Sequence, residues 1–449
     1  MGATRRRTDD DNANSDRFAA AAHGARPRLF ITLFLLAAAS ACYLGIVAVR
    51  HGPPSGGDTV PLTTVTTALA NGDLRAAASA ASLPNPPGYP LLAAPFVAAF
   101  PSAIGSPNWC VPNVRVRPPR AALPAAALPG GVMVCDPTAA LAADTLPPWY
   151  RAQGLLGVAS WLVLAVGALA LLRAAQADSF VRQAGLLTFL AFLPAASSAI
   201  VQLYHPQDLV SLGLALAAIA QVLERRWLLS GVLFGAAVLT KQFALLLLLP
   251  ALVAAPDRRS RLTLVGAAAA IFGAGILPFL VVDPRATLEN LSGFSAGGAA
   301  AGQTVLSLAG VHGTVASAVA RDTPLVVALA VCVWAARRPG LQANRSIALV
   351  ALALICTGSR LVFESVVFPY YLLAASVLVL LLDLVARRSP HWSLTWCAAA
   401  AFFVAVHPGN RIVAALGTLA LAVAVVVIGM AELLSGRGST AQQGLGIAA

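Results

Sequence analysis

The chain has 449 residues, of which 58% are hydrophobic and 11% charged. Apolar runs of membrane-spanning length recur along it, which excludes a soluble globular domain. A formal net charge of +12 would suit a nucleic-acid partner in a soluble protein. Here the arginines fall in short clusters between apolar runs, where they act as topology signals, so no nucleic acid is expected.

Residues 1–28, rich in Asp, Asn and Arg, read as a disordered cytoplasmic tail. Twelve apolar segments follow, near 29–49, 153–173, 183–201, 208–223, 227–240, 242–255, 262–282, 323–336, 346–360, 366–386, 391–406 and 412–431. The fold class is therefore an all-α polytopic membrane protein with about 12 transmembrane helices, in a range of about 10–13, since several segments are shorter than ~20 residues. The first segment lacks a small-residue cleavage site and reads as a retained anchor. Residues 29–431 form a single transmembrane domain, and 432–449 a second cytoplasmic tail.

With Arg5, Arg6 and Arg7 placed inside, the clusters Arg173/Arg182, Arg225/Arg226, Arg258/Arg259/Arg261, Arg337/Arg338/Arg345, Arg387/Arg388 and Arg437 all fall on the same side. That one-sidedness sets a multi-pass orientation in the plasma membrane with both termini cytoplasmic. Two long loops, 50–152 and 283–322, then lie outside, while every inner loop is short. The work is expected on the extracytoplasmic face.

In the first outer loop, Cys110 and Cys135 flank a stretch rich in Pro and Arg, and a disulfide between them suits an oxidising compartment. Cys42, Cys332, Cys356 and Cys397 lie in or beside apolar segments and read as small core residues. No Cys or His spacing resembles a zinc site. The tract Asn85-Pro86-Pro87-Gly88-Tyr89-Pro90 precedes an apolar run, Leu91 to Phe100, too short to cross a bilayer. It either lies on the outer surface of the membrane or packs on the bundle as a buried loop.

Asp58, in Ser-Gly-Gly-Asp-Thr, follows the first segment closely. Its carboxylate can act as a general base on an attacking hydroxyl, or it can cap the polar stretch that follows, and both readings stand at this point. Asp73, in Asn-Gly-Asp-Leu, has the chemistry of a turn. The short outer turn His205-Pro206-Gln207-Asp208 is built as a helix start, with Asp208 able to cap it. His205 and Gln207 are not explained by a cap, and with Asp208 they form a polar cluster suited to a substrate cavity. Tyr204 beside them offers a ring for a sugar face or a lipid.

Lys241, in Leu-Thr-Lys-Gln-Phe, is the only lysine in the chain. It stands with Gln242 where two short apolar segments meet, and an ammonium there suits a phosphate. The bland alternative is a lysine that snorkels at a helix end. Arg360 and Glu364, four residues apart, form either a structural ion pair or, through Arg360, a second hand on the same phosphate. Tyr370 and Tyr371 follow Pro369 and suit an interfacial aromatic belt or a substrate contact. His407 and Arg411, in the outer turn His-Pro-Gly-Asn-Arg, read either as a plain loop or as further contacts to the phosphate, and the glycine-rich stretch 293–302 reads as a mobile outer loop.

An acidic residue just after the first span, a long first outer loop with a surface-lying helix and a multispan body working outside together resemble the GT-C superfamily of polyprenyl-phosphate-sugar-dependent glycosyltransferases. Locally, His205-Pro206-Gln207-Asp208, Arg225-Arg226-Trp227 and Leu239-Thr240-Lys241-Gln242-Phe243 resemble actinobacterial members of glycosyltransferase family 87. The local resemblance covers about fifty residues and the architectural one most of the chain. One departure is plain: many GT-C enzymes pair two acidic residues in the first loop, whereas Asp58 has no acidic neighbour. A divalent metal is therefore not supported, and no cofactor is expected.

The resemblance implies a sugar, mannose or arabinofuranose, moved from a polyprenyl-phosphate donor to a cell-envelope glycan or glycolipid acceptor by inverting single displacement. Asp58 and Asp208 would be catalytic. Lys241 and Arg360 would hold the donor phosphate, and His205, Gln207, Gln242, Tyr204 and Tyr370 would bind substrate. The reading from another class is a lipid or small-molecule transporter, which would place charges near the midplane and show two related halves. Here the charged candidates gather at one face, and no internal repeat is evident. A non-catalytic membrane scaffold is the third reading, in which Lys241 only marks a helix end.

Overall fold

The computed structural model describes residues 38–46, 59–79, 86–99, 110–112, 133–135, 148–202, 205–292, 304–311, 313–338, 344–364, 367, 369–386, 391–406 and 411–435, with isolated helical positions at 32, 35 and 36. In chain order the helices are α1 (Thr59–Ala70), α2 (Leu74–Ser79), α3 (Gly88–Ala99), α4 (Pro148–Ala174), α5 (Phe180–Phe192), α6 (Pro194–Ser197), α7 (Pro206–Leu223), α8 (Trp227–Thr240) and α9 (Ala244–Ala254). They continue with α10 (Arg258–Val282), α11 (Pro284–Ser292), α12 (Val305–Leu308), α13 (Gly313–Ala336), α14 (Arg345–Phe363), α15 (Leu372–Val385), α16 (His391–Val406) and α17 (Arg411–Ser435). Among the described residues the fold is helical as expected, apart from one two-stranded antiparallel ladder in the first long loop, β1 (Cys110–Pro112) against β2 (Met133–Cys135).

Among the described residues, six helices are long and apolar enough to cross a membrane, and the bent pair Phe180–Phe192 plus Pro194–Ile200 makes a seventh if it is one span. The expected count of about 12 is not reached by length among the described residues: α8, α9, α15 and α16 are only 14, 11, 14 and 16 residues long, and part of the first expected segment lies outside the described residues. The helix α13 also begins well before the expected 323, which shortens the second outer loop and brings Arg321 and Asp322 onto a helix.

The short helices are short for a geometric reason. Ser211 Oγ donates to the Ala237 carbonyl and Ser230 Oγ to that of Ala218, so α7 and α8 run antiparallel. Helix α10 runs alongside α8 in the same direction: Gly231 meets Leu264, Gly235 meets Ala268, and Leu239 meets Gly275. At the opposite end, Arg345 donates to the carbonyls of Val222 (3.3 Å) and Ala254 (3.0 Å) and lies over the Trp227 ring. That guanidinium adds a donor to carbonyls at the C-termini of α7 and α9, of which that of Val222 also accepts from the Arg225 N–H. The described arginines 225, 226, 258, 259 and 261 gather at this end. Trp227 to Lys241, Leu223 to Asp208 and Arg345 to Arg360 each measure ~21–22 Å at ~1.5 Å per residue. The helices α8 and α9 therefore stop where the polar residues sit, short of a full crossing.

The main core lies between α4, α5, α7 and α8 on one side and α14, α15 and α17 on the other. Helices α4 and α7 cross where Gly167 and Gly213 bring their backbones into contact, a position where neither tolerates a Cβ. A second cluster joins Leu62, Val65, Ala77, Ala78, Tyr89 and Ala93 to Val210 of α7 and Phe279 of α10. Helices α1 to α3 thus form a cap over the end of the bundle opposite the arginines. A Cβ at Gly88 would stand 2.5 Å from the Leu239 carbonyl oxygen, so the first residue of α3 rests directly on the last turn of α8. Of the two readings open for 91–100, this fits the helix packed on the bundle, while Leu92 remains exposed.

Candidate functional site

At the capped end the chain brings together four separate segments. Helix α5 ends at Phe192, Pro194 starts α6, and the pair bends by 50° before a π-helical turn, Ser198–Gln202. Such turns often mark functional positions. The chain then enters α7 through His205, whose backbone N–H donates to the Ala199 carbonyl at 2.6 Å. His205 is the N-cap of α7, yet neither its side chain nor that of Asp208 caps the helix. Asp208 instead points across to the next helix: its Oδ2 lies 3.6 Å from Lys241 Nζ and 3.5 Å from His205 Nδ1.

Lys241 ends α8 in extended backbone (φ −155°, ψ 131°). Ser211 Oγ, 3.4 Å from its carbonyl, helps hold that end against α7. The residue is only 8% exposed. Its ammonium donates no hydrogen bond to another described residue, and its one ion pair, to Asp208, is long. With Asp208 at 3.6 Å, the three ammonium donors are left without a hydrogen bond, a cost that a closer anion would relieve.

The His205 ring stacks on Tyr370 with centroids 3.7 Å apart and an 18° tilt, and Tyr371 meets Tyr370 edge-on at 4.7 Å. Gln207 Nε2 lies 3.0 Å from His205 Nδ1, while Gln207 Oε1 is buried with no hydrogen-bond partner among the described residues. Arg360, in the last turn of α14, donates from Nε to Glu364 Oε2 at 3.0 Å. Its guanidinium carbon sits 4.8 Å from the Tyr371 ring centroid and 5.5 Å from that of Phe243.

Lys241, Gln242, Arg360 and Glu364 line one cavity of about 320 Å³. Its other walls are mostly apolar: Val238 of α8, Leu245 and Leu246 of α9, Phe272 of α10 and Leu325 of α13. Arg321 and Asp322 also line it, bonded to each other through Nε to Oδ1 at 2.7 Å and Nη2 to Oδ2 at 3.0 Å. Such a space, cationic along one wall and greasy elsewhere, suits an amphiphile with an anionic head. Among the described residues, no three His, Cys, Asp or Glu side chains converge closely enough to hold a metal ion.

Residues 146–364 match the family model of Glycosyltransferase family 87. That segment belongs to glycosyltransferase family 87. The match runs from the start of α4 to Glu364 and so contains every polar member of the cluster except the two tyrosines. No curated protein matches the chain. The protein is therefore a glycosyltransferase with several membrane-crossing helices, and it has a sugar donor, an acceptor and a bilayer as partners.

Of the site residues expected in this family 87 enzyme, the structure brings His205, Gln207, Asp208, Lys241, Arg360 and Tyr370 into one connected cluster. Gln242 lines the same cavity, but its Nε2 donates to the Leu291 carbonyl at 3.0 Å, tying the α8–α9 junction to the end of α11. Asp58, Tyr204, His407 and the stretch 293–302 lie outside the described residues. Asp73 has the turn role expected, its Oδ1 accepting from the Ala76 N–H at 2.9 Å. The ladder register sets Cys110 directly opposite Cys135. Phe243, Arg321 and Asp322 of the cavity wall were missed in the sequence. Phe243 follows Gln242 directly, and its place beside Lys241 in the chain is the signal that marks it. The Arg321-Asp322 pair carried no signal while that segment read as a loop.

Proposed function

We propose that the enzyme transfers a sugar, mannose or arabinofuranose, from a polyprenyl-phosphate donor to a glycan or glycolipid acceptor of the cell envelope, on the extracytoplasmic face. One observation carries this reading: the buried Lys241 ammonium, without a hydrogen bond among the described residues, opens with Arg360 into a cavity whose other walls are mostly apolar. A lipid phosphate presents the matching chemistry, an anion at the end of a hydrocarbon chain.

The depth of the site supports the same reading. With the arginine end taken as the cytoplasmic boundary, the cluster lies ~21–22 Å into a hydrocarbon layer of ~30 Å, within the outer leaflet. A donor held by its lipid can reach that depth sideways. A GT-C-like arrangement of about 12 membrane helices, of which α8 and α9 run only to the site and back, fits this account.

In the reaction an acceptor hydroxyl attacks the anomeric carbon, the bond from that carbon to the phosphate oxygen breaks, and configuration inverts. The hydroxyl proton passes to a carboxylate, for which Asp58 is the proposed base. As the bond breaks, the phosphate gains one negative charge. Lys241 and Arg360 thus bind the leaving group more strongly in the transition state than in the ground state, which lowers the barrier. Asp208 holds the ammonium in place, and His205, stacked on Tyr370, holds Asp208. Gln207, Gln242, Tyr204 and Tyr370 complete the substrate contacts. In the first loop, the facing positions of Cys110 and Cys135 support a disulfide, since antiparallel partners lie ~4.5–5.5 Å apart at Cα, within disulfide reach.

The test is transfer from radiolabelled polyprenyl-phosphate sugars in membranes, with Lys241→Ala and Arg360→Ala compared at matched abundance. Loss of product in both supports the proposal. Full transfer in both removes the phosphate site, and a transporter then becomes the better reading.

A further inference from the structure

The Arg360–Glu364 pair raises a question that the phosphate reading leaves open. A cation meant for a phosphate gains nothing from a permanent carboxylate partner unless that partner does something else. Glu364 is 1% exposed, closes α14 in extended backbone, and turns its carboxylate back over the last helical turn. It takes Arg360 by Nε, the inner nitrogen of the guanidinium. Among the described residues Arg360 donates no other hydrogen bond, so its two terminal amino groups keep their protons, and the residue lines the cavity. Phe243 and Tyr371 hold the same group through their rings. Both restraints act on parts of the guanidinium that a bidentate contact to a phosphate does not need.

We infer that Glu364 is a positioning residue for the donor phosphate: it fixes the Arg360 guanidinium through Nε so that both terminal amino groups face the leaving group. The inference rests on the phosphate reading of Lys241 and Arg360. It makes a prediction that the charges alone would invert. A carboxylate beside a phosphate site repels the anion, so if charge were all that mattered, any neutral replacement would tighten donor binding. If aim matters more, the outcome depends on whether the replacement still accepts a hydrogen bond.

The experiment uses the full chain in membranes or nanodiscs. It reads donor KM and kcat, and the inhibition constant of farnesyl phosphate, a lipid phosphate with no sugar to transfer. Glu364→Ala is expected to raise donor KM and the farnesyl phosphate constant about tenfold, as loss of one charge-assisted restraint implies. Glu364→Gln, which keeps an acceptor for Nε, is expected to stay within about threefold of the parent or to bind more tightly. Glu364→Asp, one methylene short of Nε, is expected to weaken binding several-fold, and it serves where the alanine variant does not accumulate. In an Arg360→Ala background, Glu364→Ala is expected to add less than about twofold, because a residue acting through another has nothing left to act on.

If Glu364→Ala and Glu364→Asp leave both constants unchanged while Arg360→Ala raises them, the positioning role is wrong and the phosphate reading survives. The positioning role also fails if the two alanine effects multiply, or if Glu364→Ala and Glu364→Gln both tighten binding. If Arg360→Ala itself leaves both constants unchanged, the phosphate reading of Arg360 fails and this inference falls with it.

Discussion

Replacing Lys241 separates a structural ion pair from a working one. Lys241 Nζ lies 3.6 Å from Asp208 Oδ2, and both side chains are nearly buried. At that distance and an effective dielectric of ~20, their attraction is about 4–5 kcal/mol before desolvation is subtracted. Lys241→Met leaves the Asp208 carboxylate buried with His205 as its nearest partner, a change that typically costs about 3–5 kcal/mol of stability. The double variant Lys241→Met/Asp208→Asn removes both charges and should recover most of that stability. Catalysis behaves differently. The departing phosphate gains one charge, and a cation ~4 Å away contributes about 4 kcal/mol to holding it, or roughly 10²–10³ in kcat. Thermal unfolding in detergent should therefore be rescued in the double variant, while transfer stays at least ~100-fold below the parent. Recovery of both would refute the reasoning and make the pair structural.

Four further outcomes follow. Gly88→Ala should lower transfer several-fold without touching the site, because the new Cβ would stand 2.5 Å from the Leu239 carbonyl and lift α3 from the turn before Lys241; activity at matched abundance checks it. Ser211→Ala removes a 2.9 Å bond to Ala237 and should cost about 1 kcal/mol, seen as a small fall in unfolding temperature. Tyr370→Phe should retain most activity, since the stack on His205 survives, whereas Tyr370→Ala should not. Alkylation before and after reduction, read by mass on the segment holding Cys110 and Cys135, should show both thiols blocked only after reduction.

Much of this site could be read in the sequence, and the reasons are specific. Lys241 stood out because the chain has no other lysine and no apolar segment hides a charge without cause. His205 and Gln207 stood out because a helix start needs at most one cap. What the sequence could not convey was depth. The short lengths of α8 and α9 looked like uncertain spans, when they record a polar plane ~21–22 Å from the arginine end. Nor could it show that Asp208 turns away from its own helix end toward Lys241, since N-cap chemistry and ion-pair chemistry use the same residue. The stack of Tyr370 on His205 joins positions far apart in the chain and is visible only once α15 packs beside the bend after α5. Arg321 and Asp322 stay hidden because the apolar run starts at 323 and leaves them in the outer loop, whereas α13 begins at Gly313 and carries Pro324 inside it.

The most direct test of the central claim sets two kinds of donor against each other. The purified full-length chain in nanodiscs would be given mannose and arabinofuranose as polyprenyl-phosphate sugars and, separately, mannose as a soluble nucleotide sugar, with envelope glycolipids as acceptors. Transfer from a lipid-phosphate donor alone, lost in Lys241→Met/Asp208→Asn, is the result predicted. Transfer from the nucleotide sugar, or transfer indifferent to Lys241, would contradict it.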